Sequence, residues 1–168
     1  MSIRAVKGFL VSAIPAAMLL AGPAPAADQA VLTQHVLSER TEVEAAQAAI
    51  DYCAARGRHV HVVIVDPYGD LMLLIVGDGA KYNTVESAER KAYTSAMMGT
   101  STLKIAQAIA ANPHMQLPPD SRMLFLGGGT PIRVGSEIVG AIGVGGGSPA
   151  QDQECADAGV AKVQPVLH

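Results

Sequence analysis

The sequence predicts an α/β (α+β) fold, a sandwich built on an antiparallel sheet. Three observations lead there. Helical periodicity occupies both ends of the chain, four or five apolar strand-like runs lie between them mostly in hairpins, and the 168 residues are rich enough in aliphatic side chains for one core.

The N-terminus is set aside first. Arg4 and Lys7 precede the uncharged run "GFLVSAIPAAMLLAG", which ends in "PAPAA" with small residues at Ala24 and Ala26. A basic start, a short apolar stretch and small residues make residues 1–27 a secretory signal peptide, cut near Ala26 or Ala27. A membrane anchor needs about 20 unbroken apolar residues, and Pro15 breaks this run. The expected mature chain is a single domain over residues 28–168, periplasmic or secreted, with no membrane span. Loss of Arg4 and Lys7 takes the net charge from -3 to about -5. With few aromatics and no Trp, that balance argues against a nucleic-acid partner.

After a short extended segment at Val31 to Leu37, Glu39 to Arg56 reads as an amphipathic helix, with Val43, Ala46, Ala49, Ile50 and Cys53 at spacings of three and four. Gly57 ends it. "HVHVVIVD" (His59 to Asp66) and "LMLLIVG" (Leu71 to Gly77) flank the turn "PYGD" and read as a hairpin whose second strand is largely buried. Thr84 to Met98 is helical, closed by Gly99, and Ser101 caps a further helix to Ala110. The loop "ANPHMQLPPDS" follows. Strands "RMLFLGGG" and "SEIVGAIGVGGG", joined by a turn around "TPIRVG", lead to a last helix, Pro149 to Val163. Cys53 and Cys155 fall on the first and last helices, either as a disulfide in an oxidising compartment or as buried thiols.

The stretch "GAIGVGGGSPAQDQECAD" (Gly140 to Asp157) has the look of an anion loop. Ser148, Pro149 and Gln151 form a capping box, so a helix starts where the glycines stop. Ser148 stands where a dinucleotide loop needs its third glycine, GK[ST] is missing, and Asp152 and Glu154 repel a phosphate. That leaves a tight structural turn or a carboxylate-binding edge. With "FLGGGTPIR", it marks backbone passing close to a strand, a subunit or a flat ligand.

Candidate ligand groups are scattered. His59 and His61 share a strand face by period two. His114 stands beside Met115 in the proline-rich loop, after the two helices around Met97 and Met98. Imidazole and thioether are the usual axial ligands of haem iron, which makes His114 the candidate metal ligand. Arg133 is a candidate partner for a ligand carboxylate. Asp66, Lys91 and Tyr93 form an acid/base set if the fold brings them together. Motifs for Ser hydrolases, zinc proteases and c-type haem attachment do not occur.

"VVIVDPYGDL", "RKAYTSAMMG", "FLGGGTPI" and "VGAIGVGGGSPAQDQECADAG" stand in the order and spacing of the GlcG/HbpS-like proteins, which include the C-terminal domain of PduO. The chain resembles that family from about Val31 to Val163. The resemblance implies a profilin-like α/β/α sandwich with a five-stranded antiparallel sheet, assembly into dimers or larger homo-oligomers, and a small-molecule ligand. Several exported relatives bind haem or iron, and the PduO relatives are associated with corrinoid chemistry. By motif, Asp66, Lys91, Tyr93, Thr94, Gly127 to Gly129, Pro131, Gly143 and Asp152 match the family's positions. The cofactor-binding set expected from resemblance and residues together is His114, Lys91, Tyr93, Thr94, Met98, Thr100, Gly128, Gly129 and Arg133. Thr100 or Thr102 stands as an alternative axial ligand, and Lys91 or Arg133 as the cation for haem propionates. The chain departs from the family at His59, His61 and "LLIVGDGAKYNTVESAE", which alters one pocket wall. The leading expectation is an exported haem-binding protein for sequestration, transport or sensing, more a binding protein than an enzyme. The alternatives are a corrinoid-associated domain, an enzyme on a small organic acid or lactone using Asp66, Lys91 and Tyr93, or an accessory subunit.

Overall fold

In the computed structural model, which describes residues 33–168, Ser38 opens the first helix by accepting a hydrogen bond from Thr41 N. Residues 1–32 lie outside the described residues, and with them the expected signal peptide, its cleavage point near Ala26 or Ala27, and Val31 and Leu32. In chain order the elements are α1 (Glu39–Ala54), β1 (His61–Val65), β2 (Leu71–Val76), α2 (Val85–Met98), α3 (Thr102–Ala111), β3 (Gly129–Val134), β4 (Glu137–Gly145) and α4 (Pro149–Val163). They belong to one compact unit, Gln34–His168.

The strands form one antiparallel sheet in the order β2-β1-β4-β3. Alternation along β1 divides its side chains between two faces. Val62 and Ile64 join Ala45, Ala46 and Ala49 of α1 and Cys155 and Ala156 of α4 in the larger core. Val63 and Val65 pack with Ala88, Ala92 and Ala96 of α2 in the smaller one. The result is the predicted α/β/α layering. Small side chains let α1 and α4 approach closely: a Cβ on Gly159 would sit 2.7 Å from Ala45 O. A disulfide between Cys53 and Cys155, 102 residues apart, ties the two helices together. Closing so long a loop removes unfolded-state entropy worth about 4–5 kcal/mol in the chain-entropy account.

Four details of the sequence reading are corrected. The sheet has four strands, not five, because Thr33 to Leu37 carries no strand pairing. "RMLFLGGG" is irregular rather than a strand up to Gly128, and the expected turn "TPIRVG" is itself strand β3. Pro131 is tolerated there because β3 is an edge, where the missing N-H costs no ladder bond. Finally, β2 is not largely buried. It is the other edge, with Leu71, Met72, Leu74 and Val76 exposed and only Leu73 and Ile75 packed against the larger core. Among the described residues, no helix is long and apolar enough to cross a membrane.

Candidate functional site

Helix α2 is the element around which the candidate residues gather. Its inner face carries an unusual number of polar groups for a buried surface: Lys91, Thr94 and Ser95 are all buried. Each has partners, as desolvation demands. The Lys91 ammonium lies 2.7 Å from Asp152 Oδ2 and donates also to Val144 O at 3.0 Å. The other oxygen, Asp152 Oδ1, accepts Gly147 N at 2.7 Å. Thr94 Oγ1 donates to Arg90 O and accepts Leu124 N, both at 2.7 Å.

The glycine clusters answer to the same packing. A Cβ on Gly143 would stand 2.0 Å from Ala88 O, and one on Gly129 would stand 2.3 Å from Lys91 O. Helix α2 therefore rests directly on the sheet backbone, which only glycine permits. Gly129 N donates to Thr102 Oγ1, and Gly128 N donates to Gln153 Oε1. The neighbour that Gly143 and Gly129 admit within the chain is helix α2, for Gly128 it is the Val144 carbonyl of β4, and for Gly127 it is the Pro149 carbonyl at the start of α4.

Outward of α2 lies an open cleft of about 410 Å³, lined by Gly69, Asp70 and Leu71 on one side, Glu86, Glu89, Arg90 and Tyr93 on the helix, and Ser121 and Arg122 on the loop before β3. Such a volume suits a small organic ligand. Tyr93 is its fixed point. The ring is covered by Gly69, whose added Cβ would fall 2.3 Å from Tyr93 Cδ2, and the Arg122 guanidinium stacks on it at 4.1 Å. Its hydroxyl donates to Asp120 Oδ2 at 2.6 Å and accepts from Arg122 Nη2. The Tyr93 hydroxyl, followed by the backbone and side chain of Arg122, holds the Asp120 carboxyl down at about 2. In return the hydrogen bond to Asp120, with burial, raises the Tyr93 phenol above its usual range. Arg90 fastens the loop by donating to the carbonyls of Ser121, Arg122 and Met123.

The predicted residues thus fall in five places rather than one. Tyr93 lines the cleft. Lys91, Thr94, Gly128 and Gly129 are instead buried packing and hydrogen-bonding groups, and Lys91 is not a free cation, since it is paired with Asp152 and donates to Val144 O. Thr100 and Arg133 line a second hollow of about 320 Å³ with Lys104, Thr130 and Asp157. The Arg133 guanidinium there donates to Gly99 O and Ser136 O, both at 2.6 Å, so it ties the end of α2 to the β3-β4 hairpin. Met98 is half-buried, and His114 is exposed in the loop after α3, its ring without a hydrogen bond among the described residues.

The acid/base set does not assemble either. Asp66 accepts Tyr68 N and Asp70 N in its own turn, and no hydrogen bond joins it to Lys91 or Tyr93. His59 and His61 part company: His59 is exposed and bonds Asp78 O, whereas His61 is buried with Nδ1 at 2.9 Å from Thr84 Oγ1 and Nε2 without a partner among the described residues. Burial lowers the His61 pKa. No cluster of three or more metal-ligating side chains occurs among the described residues. Sequence reasoning missed Arg90, Asp120 and Arg122. The signal available was the charged "DSR" inside a proline-rich loop, because charges in a positioned loop are where binding groups concentrate.

Comparison with known proteins places this arrangement. Residues 37–161 match the family described as "Haem degrading protein HbpS-like". The chain belongs to the HbpS-like family. The crystal structure of HbpS is 36% identical and superposes with a TM-score of 0.71, covering 79% of this chain and 93% of that one. The crystal structure of a PduOC:haem complex is 25% identical with a TM-score of 0.69, covering 76% and 94%. An uncharacterized 15.0 kDa protein from the dhaT-dhaS intergenic region of Citrobacter freundii is 31% identical over 97 residues, 56% of this chain and 68% of that protein.

Proposed function

We propose that this protein is an exported haem-binding protein that sequesters, carries or senses its ligand, acting in the periplasm or outside the cell after removal of residues 1–27. The observation that carries the reading is membership of the HbpS-like family over most of the chain, together with likeness to a relative solved with haem bound. The residues present fit such a group. His114 offers an exposed imidazole with no competing hydrogen bond among the described residues, and Met115 and Met97 expose thioethers. Arg122, two-thirds exposed, supplies a cation for a propionate, in place of the buried Lys91. Haem, when bound, supplies an iron that takes an axial ligand. The chain's part is to hold Arg122 in place through Tyr93 and Asp120, and the loop carrying Asp120 and Arg122 through Arg90 and Thr94.

Haemin titration into the purified protein tests this. A saturable Soret shift at micromolar haemin is expected, weakened in Arg122→Ala and altered or lost in His114→Ala. No shift would refute haem binding. Since the family's description includes haem degradation, the same cuvette is followed with a reductant added. A Soret band that decays only in the presence of protein would turn the reading from carrier to enzyme. Export is checked by the N-terminal mass of the protein recovered from the periplasm, expected to begin near Ala27 or Asp28.

A further inference from the structure

Two guanidiniums line the α2 cleft, and a count of their N-H groups shows how much of an anion the cleft can hold. Each guanidinium carries five such donors. Arg90 spends Nε on Arg122 O and Nη2 on the carbonyls of Ser121 and Met123, and its Nη1 stands 3.6 Å from Glu86 Oε1. Arg122 spends Nε on Asp120 Oδ1 and Nη2 on Asp120 Oδ2 and the Tyr93 hydroxyl. Its Nη1 has no hydrogen-bond partner among the described residues, and its side chain is 67% exposed. One edge of one guanidinium is therefore what the cleft's cations have left to offer an anion.

The remaining charges of the lining are acidic. Asp70, Glu86 and Glu89 are all exposed and all line the cleft. The hydrogen bond to Asp120 does most to raise the Arg122 guanidinium pKa, and the charge of Asp70 adds to it, so Asp70 acts on the same seat. Counting Asp120, four carboxylates stand against two guanidiniums. A ligand carboxylate on Nη1 has a cation in contact. A second one entering beside it has none, and meets the acids of the wall.

We infer that the α2 cleft takes one carboxylate of its ligand and rejects a second, with Arg122 as the seat and Asp70, Glu86 and Glu89 as the residues that set the limit. The inference rests on the haem reading and narrows it. The ligand class is an iron porphyrin that presents a single propionate to the cleft and leaves the other in solvent, and porphyrins with four carboxylates are selected against.

The test compares haemin, its monomethyl ester, its dimethyl ester and an iron porphyrin with four carboxylates, each titrated into the purified protein and followed by the Soret shift. The dimethyl ester is expected to bind about ten- to a hundredfold more weakly than haemin, the worth of a charge-assisted hydrogen bond. The monomethyl ester should stay within about twofold of haemin, the statistical factor for offering one propionate instead of two. The tetracarboxylate should bind about tenfold more weakly, at about two- to fivefold for each extra like charge at an exposed site. That gap should close in Glu86→Gln with Glu89→Gln, both exposed positions, and in added salt. In Arg122→Ala, with circular dichroism unchanged, haemin and its dimethyl ester should become equal. A dimethyl ester as tight as haemin would overturn the inference by removing the seat. A monomethyl ester as weak as the dimethyl ester would overturn it by requiring two seats, and so would a tetracarboxylate gap that persists in the double variant. These outcomes leave haem binding standing. No Soret shift with any of the four sinks the haem reading, and the inference with it.

Discussion

Replacing Lys91 by methionine isolates what the buried ion pair contributes. The substitution keeps most of the stem and removes the ammonium, so packing against the glycine run is largely preserved. The side chains of Lys91 and Asp152 are 3% and 2% exposed, and without the ammonium Asp152 keeps one polar contact, the Gly147 N-H. An unpaired carboxylate in a dry site costs about 3–5 kcal/mol, a large share of a typical total of 5–15 kcal/mol. With a urea slope of about 2 kcal/mol/M, the unfolding midpoint should fall by about 2 M. The assay is equilibrium urea unfolding followed by circular dichroism with the disulfide intact. Neutralising both partners, as Lys91→Met with Asp152→Asn, should recover part of the loss, because the amide still accepts from Gly147. A single variant that loses less than about 1 kcal/mol, or a double variant no more stable than the single, would refute the claim that Lys91 is committed to holding Asp152.

Two further predictions rest on packing and on titration. Gly143→Ala should destabilise by about 3 kcal/mol or more, because its Cβ meets backbone atoms of α2 at 2.0 and 2.6 Å. Gly135→Ala, at φ +57 with open space around it, should lose only about 1 kcal/mol in the same unfolding assay. His61 has its pKa lowered by burial, so the folded state disfavours its proton. Stability should be level above about pH 6.5, the unfolded value, and fall as pH drops below it, where the unfolded chain takes up a proton that the native one refuses. His61→Leu should flatten that limb, and an unchanged acid slope in the variant would exclude His61 as its source.

The helices were legible in the sequence because each carries its own boundary signals. Ser38, Ser101 and Ser148 cap α1, α3 and α4, and Gly99 closes α2 in the left-handed conformation. The β3 strand was not legible, because Pro131 and the preceding glycines read as a turn and only the edge position makes the proline harmless. The "RMLFLGGG" run reads as a strand by composition, yet before Gly128, whose carbonyl accepts Val144 N, it is held instead by Arg90 and Thr94. Nothing local announces such long-range contacts. For the site, residue types were visible but their obligations were not. Lys91 looks like any helical lysine until the fold sets Asp152, 61 residues on, against it.

That same Asp152 settles what the glycine turn before α4 can recognise. Its carboxylate already accepts the Gly147 amide and faces a lysine, so the turn is a receptor whose guest is covalently attached. A tethered group competes at an effective concentration of millimolar or above, and here it also needs no desolvation at each encounter. Free phosphates or carboxylates in the surroundings meet an occupied seat. The loop that looks most like an anion receptor in the sequence has become a latch.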